Sequence, residues 1–384
     1  MAKQKIALFH PWIKSKGGAE KVVLELLKNS KHDYDLYTWI YDKENTFKEF
    51  EDYKIKIISP KIGKKVSRKY ILRGILPWLG MFKKIPLEKY DKLLISTAGV
   101  GELIVFKNYK KGKTYAYVHT PLREADKDII KWNLENRHGR IKKYVYLPTV
   151  EFYNILEKKA WKKLDTVIFN SDFSLSRARK KNLLKNQKVH IVNPVIDISR
   201  LKSTKNSRGK DFVYISRFNP PKRQDVLIEA WKQFSKENPG YGLVLIGTPE
   251  DKKYYKKIRV MARDDKTITI KENVSDDELR RIMAKAKAGI FLGYQEDFGI
   301  VPLEIISSGK PLLAPDKGGY FELIKNHPNF HKIKEKHIKD KMVKEVERAL
   351  RKFVRRKNLK DKRTRIIKIK TKNFIKEIDN VLES

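Results

Sequence analysis

Short apolar runs recur along this chain, each followed by a polar turn and a stretch of helical spacing, and the series starts twice. In the first half, Ile6–Phe9, Leu93-Leu94-Ile95-Ser96, Ala116-Tyr117-Val118 and Thr166-Val167-Ile168-Phe169 have the length and apolar content of buried strands. Gly18–Leu27 has amphipathic helical spacing and is entered through Gly17-Gly18, and Tyr144–Trp161 reads as a long helical region before the fourth run. The series restarts after Val195 with Phe212–Ile215, the helical stretch Gln224–Phe234, Leu243–Gly247 and Ile268–Ile270. Ser275 then opens a helix, with Asp276, Asp277 and Glu278 in its first turn, and Ala288–Leu292 and Pro311–Ala314 follow as strands. Strands this short and this apolar, alternating with helices, indicate parallel sheets covered on both faces. The fold class expected is α/β, with two doubly wound units. Residues 1–196 form the first and 197–368 the second; Pro194 and the polar run Asn193–Asn206 interrupt the pattern between them.

Ligands of doubly wound sheets bind at the carboxyl ends of the strands, so the residues there carry the functional reading. Glu296-Asp297-Phe298-Gly299-Ile300-Val301-Pro302-Leu303-Glu304 follows an apolar strand and runs into a helix N-terminus, where backbone N–H groups form an anion site. Two carboxylates beside an anion site make sense if they bind hydroxyls that flank a phosphate, as on a nucleotide sugar. Arg217 and Lys222 lie in one strand-to-helix loop. Either both face one diphosphate, Arg as a planar fork and Lys as a point charge, or they are ordinary surface cations. Gly17-Gly18 lets backbone approach a ligand closely, though paired glycines also mark simple turns. His119, after Val118, either binds a sugar hydroxyl or satisfies loop carbonyls. Gly318-Gly319 either caps a sugar pocket or turns the chain into a helix. Gly112-Lys113-Thr114 lacks the upstream glycine and the following helix of a P-loop.

The chain has 384 residues, enough for two separate cores, and no cysteine, which excludes disulfides and thiolate metal sites. Its eight histidines include no His-Glu-x-x-His, so no metal site is expected. No apolar run reaches the ~18 residues that would span a bilayer, and Lys5–Phe9 reads as a strand rather than a signal peptide. A cytoplasmic protein is expected. The net charge of +41 invites nucleic acid, an anionic membrane or an acidic substrate as partner, or reflects lysine spread over every solvated surface. Nucleic acid is disfavoured: no recognised nucleic-acid motif or aromatic platform accompanies the cations, and Glu296 and Glu304 would repel a phosphate backbone.

Taken in order, Gly17-Gly18, the Arg217/Lys222 pair, Glu296 and Glu304 with seven residues between them, and Gly318-Gly319-x-x-Glu322 resemble the retaining glycosyltransferases of family four. The resemblance spans most of the chain. Three stretches are similar to GDP-mannose-dependent mannosyltransferases: Glu296–Glu304, Tyr117–Arg123, and Phe169-Asn170-Ser171 with Asn193–Asp197. His10-Pro11 with Gly17-Gly18-Ala19-Glu20 is similar to the cytosol-facing enzymes that extend dolichol-linked oligosaccharides. Two departures stand out: Leu292-Gly293-Tyr294 where the family often has Pro-Ser, and Ile305-Ile306 for the common Ala-Met.

The resemblance implies the GT-B fold: two Rossmann-like domains facing a cleft, acceptor-binding first and donor-binding second, with 369–384 as a helix that returns to the first. It implies that Glu304 binds the ribose, Glu296 the donor sugar, and Arg217 and Lys222 the diphosphate. Phe298, Gly299, Ile300 and Val301 would complete the donor cradle with Gly17 and Gly18. Val274 would lie near the base, and His119 by the transferred sugar. No cofactor or metal is implied, since the cations neutralise the leaving group. The implied partners are a nucleotide sugar, GDP-mannose with UDP-sugars as the alternative, and a lipid-linked or glycan acceptor. Pro60–Tyr90 interleaves cations such as Lys64, Lys65, Arg68 and Lys84 with Trp78, Met81 and Phe82. That pattern suits peripheral docking on an anionic membrane surface, here the inner face of the cell membrane; the other reading is a buried helix pair with a basic face.

Overall fold

A computed structural model describes residues 3–59, 76–123, 127–136, 143–196, 201, 209–355 and 371–384. The chain divides into two compact units, Met1–Val195 with Ile369–Ser384, and Ile196–Lys368.

The strands described in the first unit are β1 (Lys5–Phe9), β2 (Trp12–Ile13), β3 (Asp33–Thr38), β4 (Ile40–Tyr41), β5 (Ile55–Ile57), β6 (Lys92–Ala98), β7 (Thr114–Thr120), β8 (Thr166–Phe169) and β9 (Lys188–Ile191). β2 and β4 pair with each other, and the other seven lie in the order β5-β3-β1-β6-β7-β8-β9. Every described pairing is parallel. The sheet is wound outward in both directions from the neighbours β1 and β6, so its topological switch lies between them. Side chains alternate between two cores, as the pleat requires. Ala7, Phe9, Ile95, Val118 and Phe169 face one cluster with Trp161. Ile6, Leu8, Leu94, Tyr117 and Ile168 face the other.

That second cluster is closed by the helix Thr371–Glu383, which contributes Phe374, Ile375, Ile378, Val381 and Leu382. The Phe374 and Tyr117 rings meet edge to face at 5.9 Å. The Ser30 hydroxyl donates to Asp379 Oδ1 at 2.6 Å. The C-terminal helix thus returns to the first unit, as expected.

The second unit has β10 (Asp211–Ile215), β11 (Gly242–Gly247), β12 (Ile268–Glu272), β13 (Ala286–Ile290), β14 (Leu312–Pro315) and β15 (Phe330–Ile333). Their order is β12-β11-β10-β13-β14-β15, all parallel, with the switch between β10 and β13. The helices Gln224–Glu237 and Lys339–Val354 pack on its face through Leu227, Trp231, Val346 and Leu350. Ser275 caps Asp276–Lys285 by accepting from the Glu278 N–H at 3.2 Å, as its sequence indicates.

Local details differ from the sequence reading. The helical region Tyr144–Trp161 is the helix Lys143–Trp161, which contains Pro148, but a further helix, Lys127–Asn136, precedes it. β7 runs to Thr120, so His119 belongs to the strand end rather than to the loop beyond it. Of Pro60–Tyr90, residues 60–75 lie outside the described residues. In the remainder Leu76 and Met81 are buried, whereas Trp78 and Phe82 are exposed and meet edge to face at 6.1 Å. This part therefore combines a packed side with an exposed aromatic one.

Candidate functional site

In the first unit the polar residues gather where β1, β6 and β7 end side by side. His10 directly follows β1, and its Nδ1 lies 3.0 Å from both the carbonyl and the hydroxyl oxygen of Ser96 on β6. The same hydroxyl lies 2.8 Å from His119 Nε2 on β7. Ser96 therefore links two imidazoles across three adjacent strands, at the switch point. Burial lowers the pKa of His10. Burial and the neighbouring His10 bring His119 down to about 3, so its ring is neutral at physiological pH. The His119 carbonyl accepts from Asn170 Nδ2 at 2.8 Å, and the Asn170 carbonyl accepts from Asn193 Nδ2 at 2.9 Å. These bonds give Asn170 and Asn193 a plain structural task, that of holding the end of β7.

Gly17 caps the helix Gly18–Asn29 with extended backbone. A side chain at Gly17 would run into Glu20 Oε2, 2.4 Å from an ideal Cβ. Glu20 is itself buried and accepts from the Ser15 hydroxyl at 2.7 Å. A second cluster, Thr97, Glu102, Glu157 and Lys181, sits where the loops after β6 and β7 begin. Glu157 accepts from the Leu122 N–H at 2.6 Å and pairs with Lys181, whose ammonium also donates to the Leu122 carbonyl at 3.0 Å. Burial and the neighbouring Glu157 push Glu102 up to about 7.

In the second unit the loops after β10 and β13 meet at that sheet's switch point. Lys222 Nζ lies 2.5 Å from Glu296 Oε2 and 5.5 Å from the Phe291 ring centroid. Tyr214 on β10 donates its hydroxyl to the Lys222 carbonyl, and the Tyr294 N–H donates to the Pro221 carbonyl at 2.9 Å. Gly299 caps the helix Ile300–Ser307 at φ 85°, which favours glycine, and so turns the helix N-terminus onto the end of the Glu296 loop. Glu304 is buried on that helix, Phe298 is buried before it, and Ile300 and Val301 are half-buried in its first turn. Val274 is half-buried just after β12.

Gly318-Gly319 proves to be a packing device for this loop. The Gly319 N–H donates to the Glu296 carbonyl at 2.9 Å, and an ideal Cβ on Gly319 would stand 1.9 Å from the Asp297 oxygen. Only a residue without a side chain allows that approach. Arg217 does not join Lys222 on a shared partner. It is exposed and pairs with Glu250 at 2.9 Å, in the loop after β11. The structure thus brings Lys222, Glu296, Gly299 and Gly319 into one cluster and sets Arg217 at its edge.

Ser96 was not anticipated. It lies inside β6 and carries no motif, and its meaning comes only from having His10 and His119 on either side. Among the described residues no group of three His, Cys, Asp or Glu could hold a metal ion.

Residues 195–373 match the family model for glycosyl transferases group 1. That match spans just under half of the chain. The chain as a whole has the GT-B fold: it aligns over 98% of its length, and 95% of the other, with WaaG, a glycosyltransferase involved in lipopolysaccharide biosynthesis, at TM-score 0.62 and 15% identity. It is 23% identical over 374 residues to the Kluyveromyces lactis alpha-1,3/1,6-mannosyltransferase ALG2, covering 84% of this chain and 71% of that protein. It is 23% identical over 366 residues to the human GDP-Man:Man(3)GlcNAc(2)-PP-Dol alpha-1,2-mannosyltransferase, covering 82% and 73%. The chain is a glycosyltransferase, as the strand-end motifs led one to expect.

Proposed function

We propose that this glycosyltransferase moves mannose from GDP-mannose to a lipid-linked glycan, with retention of anomeric configuration. The observation that carries the donor site is the Lys222–Glu296 pair at the switch point of the second unit, beside the N-terminus of helix Ile300–Ser307. The choice of mannose and of a lipid-linked acceptor is supported by the likeness to mannosyltransferases over more than four-fifths of the chain.

In this reading residues 197–368 bind the donor and 1–196 the acceptor. Lys222 and the N–H groups around Gly299–Val301 hold the diphosphate, with Arg217 joining them on release from Glu250. Glu304 binds the ribose, Glu296 the donor sugar, and Val274 lies by the base. In the first unit Gly17 and Gly18 offer close-approaching backbone to the donor, and neutral His119 donates or accepts at a sugar hydroxyl. The sugar–phosphate bond breaks as the acceptor oxygen bonds to the same face of the anomeric carbon. The acceptor's proton passes to the departing diphosphate, whose charge Lys222 stabilises. The protein works in the cytoplasm, docked peripherally on an anionic membrane. Among the described residues no helix is long and apolar enough to cross one.

A thermal-shift panel of GDP, UDP and their sugars tests the donor. Selective stabilisation by GDP and GDP-mannose is expected. Stabilisation by UDP-sugars alone would overturn the mannose assignment.

A further inference from the structure

Beside the Lys222–Glu296 pair lies a buried ion pair to which the proposed chemistry assigns no task. Arg223 directly follows Lys222, is only 3% exposed, and sits in the left-handed region at φ 56°. Its Nη1 lies 2.5 Å from Glu335 Oε1, and its Nη2 donates to the Lys336 carbonyl at 2.9 Å. The guanidinium stacks over the Tyr294 ring, 4.4 Å from the centroid. Tyr294, two residues before Glu296, has its hydroxyl 2.5 Å from His337 Nδ1. Gln295, between Tyr294 and Glu296, is also left-handed at φ 46°. The Glu335 N–H donates to Asp316 Oδ1 at 2.9 Å, which ties the bracket to the end of β14.

Three loops, those after β10, β13 and β15, are therefore fastened by one guanidinium. A buried fork that fills its partners in a single geometry tolerates little sliding, because any slip leaves a charge unpaired away from water. Left-handed non-glycine residues persist only where the surroundings hold them, and here one lies directly after Lys222 and the other directly before Glu296. Tyr294 supplies the flat surface on which the fork rests.

We infer that Arg223, Tyr294 and Glu335 are positioning residues that set the Lys222 ammonium against the Glu296 carboxylate, and with it the spacing between the diphosphate and sugar ends of the donor site. The inference rests on the donor reading above for its functional meaning, and on the loop geometry alone for its structural one.

The double variant Arg223→Met/Glu335→Leu tests it. Replacing both members of a buried ion pair with apolar residues of similar volume is often neutral for stability, so the protein should keep its Tm. If the pair only stabilises, transfer will be unchanged. If it positions, a crystal structure should show the Lys222–Glu296 separation altered by about 1 Å or more, with kcat down ~10²-fold at an unchanged Tm. Arg223→Lys keeps the charge without the fork and should show a loss of the same kind. An unaltered Lys222–Glu296 separation with wild-type kcat in either folded variant overturns the inference. A wild-type enzyme that turns over no GDP- or UDP-sugar overturns the donor reading instead, and the separation measured in the variants still decides the bracket.

Discussion

Lys222 and Glu304 carry the sharpest consequences of the proposed donor site. Lys222→Ala removes the cation nearest Glu296 and should lower turnover by ~10²-fold, read in single-turnover transfer assays. Glu304→Gln keeps shape and burial but loses the charge that accepts from ribose hydroxyls. GDP affinity should fall by roughly tenfold or more by titration calorimetry. Two buried groups of the first unit make opposite contributions to its stability against pH. His119 titrates near 6.5 when unfolded and near 3 when folded. The folded chain therefore binds fewer protons in that window, and stability is lost as pH falls below about 6.5. Glu102 moves the other way, from 4.5 to about 7. The folded chain binds more protons there, so this contribution is present below about 4.5 and is lost as pH rises through about 7. Denaturant titrations across pH should show His119→Asn flattening the acid limb and Glu102→Gln flattening the limb between about pH 5 and 8.

Among the elements, the helix Thr371–Glu383 closes one face of the first unit with Ile378 fully buried. Ile378→Ala should cost about 2–5 kcal/mol, seen as a lower denaturant midpoint at unchanged m. Most of the strands that were legible beforehand are largely buried; β12, read from Ile268–Ile270, is the half-exposed exception. β1, β6, β8, β10 and β13 read as apolar runs because most of their residues are buried. Those that escaped include the two-residue β2 and β4, β3, which opens with Asp33, Tyr34 and Asp35, and the edge strands β5, β9 and β15, in which at most one residue is buried. Lys339–Val354 escaped for a different reason. Its apolar stripe of Met342, Val346, Leu350 and Phe353 has helical spacing, but the lysines and glutamates around it obscure the pattern. At the loop scale the glycines of Gly318-Gly319 were visible, but not that they pack against the carboxylate loop.

For the whole molecule, a net charge of +41 makes long-range electrostatics the first encounter with any anionic surface. Flotation with vesicles containing anionic lipid should recover the protein at low salt and lose it as ionic strength rises toward physiological values and beyond. Neutral vesicles should recover little. Trp78 and Phe82 provide exposed aromatic surface of the kind that inserts at an interface, so replacing both with Ser should weaken flotation without altering GDP binding. No flotation on anionic vesicles at low salt would remove the membrane from the proposed function.

Composition, periodicity and strand-end residues determined that the chain builds two parallel sheets, that Lys222 and Glu296 follow strands with Glu304 on the helix beyond, and that the glycosyltransferase motifs occur in order. These are local properties, set by which side chains recur at which spacing. The tertiary structure decided which strand ends are neighbours. Doubly wound sheets place sequence-distant strands side by side: β1 beside β6, and β10 beside β13. That is why Ser96 meets both His10 and His119, and why Lys222 meets Glu296. The union of Arg223 with Glu335 likewise depends on β15 coming round to the same end of the second sheet. No spacing in the sequence encodes such a meeting, because it depends on the order in which the crossovers stack the strands.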